Sequence, residues 1–76
     1  MENIPEEISI TTEFIRLDSM LKLAALVGSG GEAKFIIQDG MVNVNDEVCT
    51  QRGKKLYPGD KVEFNGESFL ICGEEK

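Results

Sequence analysis

The densest chemistry in this chain is a run of three bases in four residues, Arg52, Lys54 and Lys55, out of only eight lysines and arginines. Guanidinium and ammonium groups this close together, between strand-like stretches, suit the successive oxygens of a phosphate chain. A second constellation lies upstream, at Ser29-Gly30-Gly31-Glu32. There a capping hydroxyl precedes two glycines that leave backbone N–H groups unshielded, and at a helix N-terminus those groups could seat one phosphate. The same four residues also read as a plain capping box, and the two roles are compatible. Lys34 and Gln38, four apart, share one helix face, where a lysine suits a phosphate and an amide suits a base edge or hydroxyl. Asn43 and Asn45 add uncharged amides to the wet side of a strand. Arg16 and Lys22, six apart, occupy different faces of an earlier helix, and Arg16 has Asp18 or Asp39 available as a locking partner.

Catalysis has no comparable set of residues. The chain contains no histidine to act as a base near neutral pH. No nucleophile stands beside an evident activator, and the glycine pattern is neither G-x-G-x-x-G nor a P-loop. Cys49 and Cys72 form no C-x-x-C, so neither a zinc site nor a dithiol redox motif is expected, and the reading is of buried or idle thiols. The expectation is a binding protein without catalytic residues, metal or cofactor.

The elements that must position these groups can be read from periodicity and punctuation. Glu7 to Thr12 alternates Ile8 and Ile10 with polar neighbours, the pattern of a half-buried strand. Leu17, Met20, Leu21 and Ala24 then fall on one helical face, predicting a helix from about Phe14 to Leu26 that Gly28 stops in the left-handed conformation. Ser29 and Glu32 start a second helix almost at once, about Gly30 to Asp39, with Ala33, Ile36 and Ile37 inward and Gly40 just past its end. Val42 and Val44 alternate with Asn43 and Asn45, and Asn45-Asp46 turns the chain back into Glu47-Val48. Tyr57-Pro58-Gly59-Asp60 suits a type II turn, and Asn65-Gly66 a hairpin joining Val62–Phe64 to residues 67–72. Residues 73–76 read as a loose tail. The sum is an α+β domain, two tightly linked helices packed on a small antiparallel sheet of short strands, and 76 residues leave room for one core.

Four segments, in this order and spacing, carry a family resemblance: R-L-D-x-x-L at Arg16–Leu21, S-G-G-E-A-K at Ser29–Lys34, D-G-x-V-x-V-N at Asp39–Asn45 and K-L-x-P-G-D at Lys55–Asp60. Over roughly Phe14 to Phe64, two thirds of its length, the chain resembles the S4-type RNA-binding domain, in particular the very small stand-alone S4 proteins of the YaaA/YbcJ kind. The resemblance implies the αL motif, in which two helices and the following strands grip structured RNA, and it suggests a ribosomal RNA or ribosome-assembly partner. Carried onto this chain, the contact residues are Arg16, Lys22, Ser29, Gly30, Gly31, Lys34, Gln38, Asn43, Asn45, Arg52, Lys54 and Lys55. Two departures stand out: Gly30 follows the serine where many S4 domains carry arginine, and Phe35 occupies an outward position usually polar or basic. Phe35 has two readings, a base-stacking group or a residue packed under the N-terminal strand.

Charge bears on this expectation. The formal net charge is −6, but it divides into −4 over residues 1–15, +1 over 16–55 and −3 over 56–76, so most positive charge sits in the middle. A local basic patch within a negative field predicts selective, salt-sensitive and weak binding of a polyanion. The alternative is a protein-binding adaptor that uses the acidic ends or an exposed sheet edge. No apolar run reaches the ~18 residues of a membrane span, and the acidic N-terminus lacks signal-peptide character, so a monomeric cytoplasmic protein is expected.

Overall fold

A computed structural model describes residues 4–73. The chain runs β1 (Glu6–Ile10), β2 (Ile15–Arg16), α1 (Leu17–Leu23), α2 (Gly30–Gln38), β3 (Val42–Val44), β4 (Glu47–Val48), β5 (Lys55–Leu56), β6 (Lys61–Phe64) and β7 (Glu67–Gly73). Five strands form one sheet in the order β1-β7-β6-β3-β4, while β2 and β5 pair separately as a two-stranded antiparallel ribbon. Leu17, Met20 and Leu21 of α1, Ala33 and Ile37 of α2, Val42, Val62 and Leu56 are all fully buried, joined by Phe69 and Ile71 in one cluster. The expected α+β architecture is therefore present, with both helices contributing to a core shared with the strands.

Its one topological departure is at the sheet edge, where β1 pairs parallel to β7, with Ile8 beside Ile71. The sheet is mixed rather than purely antiparallel. Tight turns force consecutive strands to run antiparallel, but β1 and β7 are separated by the whole domain and carry no such constraint. Pairing this way sets buried Ile8 alongside buried Ile71. Gly73 belongs to β7 opposite Ile10, so it is not tail; residues 74–76 lie outside the described residues.

Helix α1 is shorter than its periodicity predicts. At the front, Ile15 and Arg16 are drawn into pairing with Leu56 and Lys55. At the back, Ala25 takes the left-handed conformation, φ 61°, with its N–H donating to Lys22 O and that of Leu26 to Leu21 O. This is a Schellman closure three residues before Gly28, the glycine expected to supply it. Helix α2 ends in the same arrangement, with Gly40 at φ 79° and N–H bonds from Gly40 to Ile37 O and from Met41 to Ile36 O. Two identical closures thus use different residues, and an alanine with positive φ carries a steric penalty of about 1–2 kcal/mol that glycine avoids, less glycine's extra chain entropy. Ala25→Gly is accordingly expected to raise stability by roughly 0.5–1 kcal/mol, and Gly40→Ala to lower it by a similar amount. Urea-unfolding midpoints of the two variants check both signs.

Candidate nucleic-acid interface

The start of α1 is built by a segment nearly forty residues away. Arg16 is its N-cap and offers no side-chain cap to the helix. Instead the Leu17 N–H donates to Lys54 O at 2.9 Å and the Asp18 N–H to Arg52 O at 3.1 Å, while Asp18 Oδ1 accepts from the Ser19 N–H at 2.8 Å. The basic loop is thereby docked on the helix through its own carbonyl groups, leaving the side chains of Arg52 and Lys54 exposed. On the β2–β5 ribbon Arg16 lies directly opposite Lys55. Four of the expected contact residues, Arg16, Arg52, Lys54 and Lys55, thus come together.

Their electrostatic states differ. The Arg16 guanidinium pairs with Asp18 Oδ2 at 3.2 Å and lies over Gly53, where an added Cβ would come within 3.7 Å of it. Asp18 therefore has the structural role expected of it, holding Arg16 and capping the helix. Lys61 is shared between Asp46 and Glu63. Among the described residues no ion pair engages Lys22, Lys34, Arg52, Lys54 or Lys55, so their charge is free for an outside anion.

The second constellation forms as a reciprocal cap. Ser29 Oγ accepts from the Glu32 N–H at 3.2 Å, and Glu32 Oε1 accepts from the Gly28 N–H at 2.9 Å. The carboxylate is turned back onto the segment before the helix. Gly30 and Gly31 are glycine for no internal reason: neither has positive φ, a Cβ at Gly30 would meet nothing within 4 Å, and one at Gly31 only Ser29 Oγ at 3.9 Å. Lys34 and Gln38 project from α2, and Lys22 from the last turn of α1, all exposed. Phe35 is 75% exposed, which removes the second of its two readings, packing under the N-terminal strand. Ala33 and Ile37 set the inward stripe of α2, and Phe35 falls off it.

The amides behave differently from the bases. Asn43 lies between buried Val42 and Val44, so it points from the opposite face of the sheet, beside Val48 and Glu63. Asn45 is committed internally: its Oδ1 accepts from the Lys61 N–H at 3.0 Å and its Nδ2 donates to Asp60 Oδ1 at 3.2 Å. It braces two turns together, a role that its place beside Asp46 did not reveal.

Two residues that sequence reasoning passed over stand in the same place as the cluster. Ile15 and Leu56 pair with their side chains toward the core, so the alternating positions Phe14, Arg16, Lys55 and Tyr57 share the outer face of the ribbon. Lys55 Nζ lies 5.0 Å from the Phe14 ring centroid, and the Phe14 and Tyr57 rings are 5.8 Å apart at 49°. The signal was present as two mirrored triplets, Phe14-Ile15-Arg16 and Lys55-Leu56-Tyr57, each an aromatic and a base flanking an apolar residue.

A family model described as S4 domain matches residues 8–72. The chain belongs to the S4 domain family. The match takes in most of β1 and β7, beyond the span of the four motifs. The chain is 52% identical over 59 residues to "Probable ribosome maturation protein RlbA" of Bacillus subtilis strain 168, covering 78% of this chain and 83% of that protein. It is 35% identical over 57 residues to "Putative RNA-binding protein YbcJ" of Escherichia coli K12, covering 75% and 81%. The solution structure of YbcJ, described as revealing an αL motif involved in RNA binding, matches with a TM-score of 0.69 at 29% identity, over 95% of this chain and 92% of that one.

Within this S4 fold the brace and the cluster are separable. Asn45→Ala is expected to cost about 1–3 kcal/mol, because it removes two exposed hydrogen bonds, to the Lys61 N–H and to Asp60 Oδ1, and puts alanine at φ 53°, where asparagine is favoured. It removes no charge, so the salt dependence of polyanion binding by the folded protein is expected to stay unchanged. Urea unfolding and a salt titration of heparin binding, run on the same variant, check the two statements.

Proposed function

We propose that this chain is a non-catalytic RNA-binding protein that docks on structured RNA, and that its target is ribosomal RNA within an immature or complete ribosomal subunit. The observation that carries the reading is the set of unpaired cations, Arg52, Lys54 and Lys55, held in one place with Arg16 by the backbone bonds between the basic loop and α1. Phosphate-rich RNA releases its condensed counterions into solution when such a cluster neutralises its phosphates, whereas a single small anion would not require three cations. Membership of the S4 family and the RNA-binding and ribosome-maturation names of its relatives support the same reading.

In this account Arg52, Lys54 and Lys55 supply most of the affinity, Arg16 supports them, and the exposed surface of the helices adds Lys22, Lys34, Gln38 and the unshielded backbone at Ser29, Gly30 and Gly31. Asn43 and Asn45 are left out, the first because it faces away from the helices and the second because both ends of its amide are occupied. The chain acts as a monomer, as a single domain, and in the cytoplasm where ribosomal subunits are assembled. Among the described residues, no helix is long and apolar enough to cross a membrane.

Co-sedimentation of the protein with ribosomal particles over a salt series tests this directly. Association is expected to weaken steeply with salt, and the Arg52/Lys54/Lys55 triple-alanine variant to flatten the slope by about three units at most, since each phosphate contact contributes roughly 0.7–0.9. An unchanged slope would remove the cluster from the RNA site. Loss of association on charge reversal at exposed Glu6, Glu7 and Glu67, with the triple variant unaffected, would instead establish the adaptor reading.

A further inference from the structure

We infer that the outer face of the β2–β5 ribbon is a nucleotide-stacking site, in which the Tyr57 ring receives an unpaired base while Lys55 and Arg16 hold the adjoining phosphates. The inference rests on the RNA reading above and specifies its ligand: an RNA element with an extruded or single-stranded nucleotide rather than an uninterrupted duplex.

Tyr57 is an exposed aromatic, 43% accessible, in a chain that buries most of its large apolar side chains. Its backbone is fixed at both polar atoms. The Tyr57 N–H donates to Asp60 Oδ2 at 2.8 Å, and Tyr57 O accepts from the Asp60 N–H at 2.9 Å. Gly59, at φ 101°, closes this turn. Phe14 buttresses the ring from the neighbouring strand at 5.8 Å and is itself covered by Lys55. A rigid, pre-positioned ring loses little entropy on stacking, which is the condition for an aromatic to serve as a base platform.

The neighbours select the ligand. Residues two apart on a strand are separated by about 6.5–7 Å, a span comparable to that between a base and the phosphate of its own nucleotide. Tyr57 follows β5 directly, two residues past Lys55, and Arg16 lies opposite Lys55 across the ribbon. A cation beside an exposed ring suits a ligand that carries a flat π-face and a negative charge together. Phe35, although 75% exposed, has no comparable setting: it stands on a helix with Lys34 as its adjacent base and no aromatic partner among the described residues.

The chain has one tyrosine and no tryptophan, so its intrinsic fluorescence reports on Tyr57 alone. The test titrates the full chain with a short RNA hairpin whose strands are joined by a non-nucleotide linker and which carries a single bulged adenosine, and with the same hairpin fully paired. The bulged hairpin is expected to quench the tyrosine signal beyond the absorbance-corrected free-tyrosine control, and the paired hairpin to leave it unchanged. Tyr57→Leu is expected to weaken binding of the bulged hairpin about five- to 150-fold, Tyr57→Phe to retain it, and neither to alter binding of the paired one. On ribosomal particles, Tyr57→Leu is expected to lower co-sedimentation. Equal affinities of wild type and Tyr57→Leu for the bulged hairpin, or equal losses on both hairpins, overturn the stacking site while leaving the RNA reading intact. Failure of the wild-type chain to bind either hairpin or ribosomal particles overturns the RNA reading and the stacking site with it.

Discussion

The first two backbone amides of α1 find their acceptors in the carbonyl groups of Lys54 and Arg52, and most of what this domain presents to a ligand depends on those two bonds. A helix start leaves N–H groups without intrahelical partners, and a side chain usually satisfies one of them. Here a distant loop does so, contributing about 0.5–1.5 kcal/mol per bond and, with it, a fixed position for the loop. The consequence is geometric. Carbonyl groups turned toward the helix leave the Arg52 and Lys54 side chains in solvent, and the β2–β5 pairing that continues from the same contact sets Arg16 against Lys55. The short ribbon is held by Ile15 and fully buried Leu56, so hydrophobic burial on one side stabilises the arrangement of charge on the other.

An acidic chain with a locally basic surface is consistent once the acids are located. Glu6 and Glu7 lie on β1, Glu63 and Glu67 on β6 and β7, and Asp46 and Asp60 in the turns of the five-stranded sheet. Several are engaged there: Asp60 in the Tyr57 turn and on Asn45, Asp46 and Glu63 around Lys61. Exposed pairs of this kind add little stability, but they give the sheet side a negative field. The ribbon and the basic loop carry no carboxylate, and Asp18, in the adjoining first turn of α1, is paired with Arg16. In the proposed reading, loosely held nucleic acid is repelled by the first surface and attracted by the second, which favours ligands that can meet the ribbon in a defined orientation.

What could be read from the sequence divides along the range of the interactions. The turns were legible because their chemistry is local: Asn45-Asp46 at φ 53° and 71°, Asn65-Gly66 at 56° and 83°, and Gly59 at 101° each adopt what their residue types favour. The capping box at Ser29 was legible for the same reason, and the structure adds only that Glu32 reaches Gly28. The pairing of Ile15-Arg16 with Lys55-Leu56 was not, because two-residue strands carry no periodicity and their partner is remote. Phe14 was therefore absorbed into a helix that begins three residues later, and Tyr57 into its turn, so neither joined the candidate site. The basic cluster was legible as composition alone; its association with Arg16 and α1 belongs to tertiary structure. The parallel pairing of β1 with β7 likewise joins distant ends of the described chain, where no local signal specifies direction.

The central claim is that RNA meets this protein on the ribbon and basic loop. Ultraviolet cross-linking of the full chain to its RNA in cells, with mass spectrometry of the nucleotide-bearing peptides, locates that contact without assuming which RNA is bound. The account predicts adducts concentrated at residues 14–16 and 52–57, with any further adducts on the exposed surfaces of the two helices. Adducts confined to β1, or to β6 and β7, would contradict it.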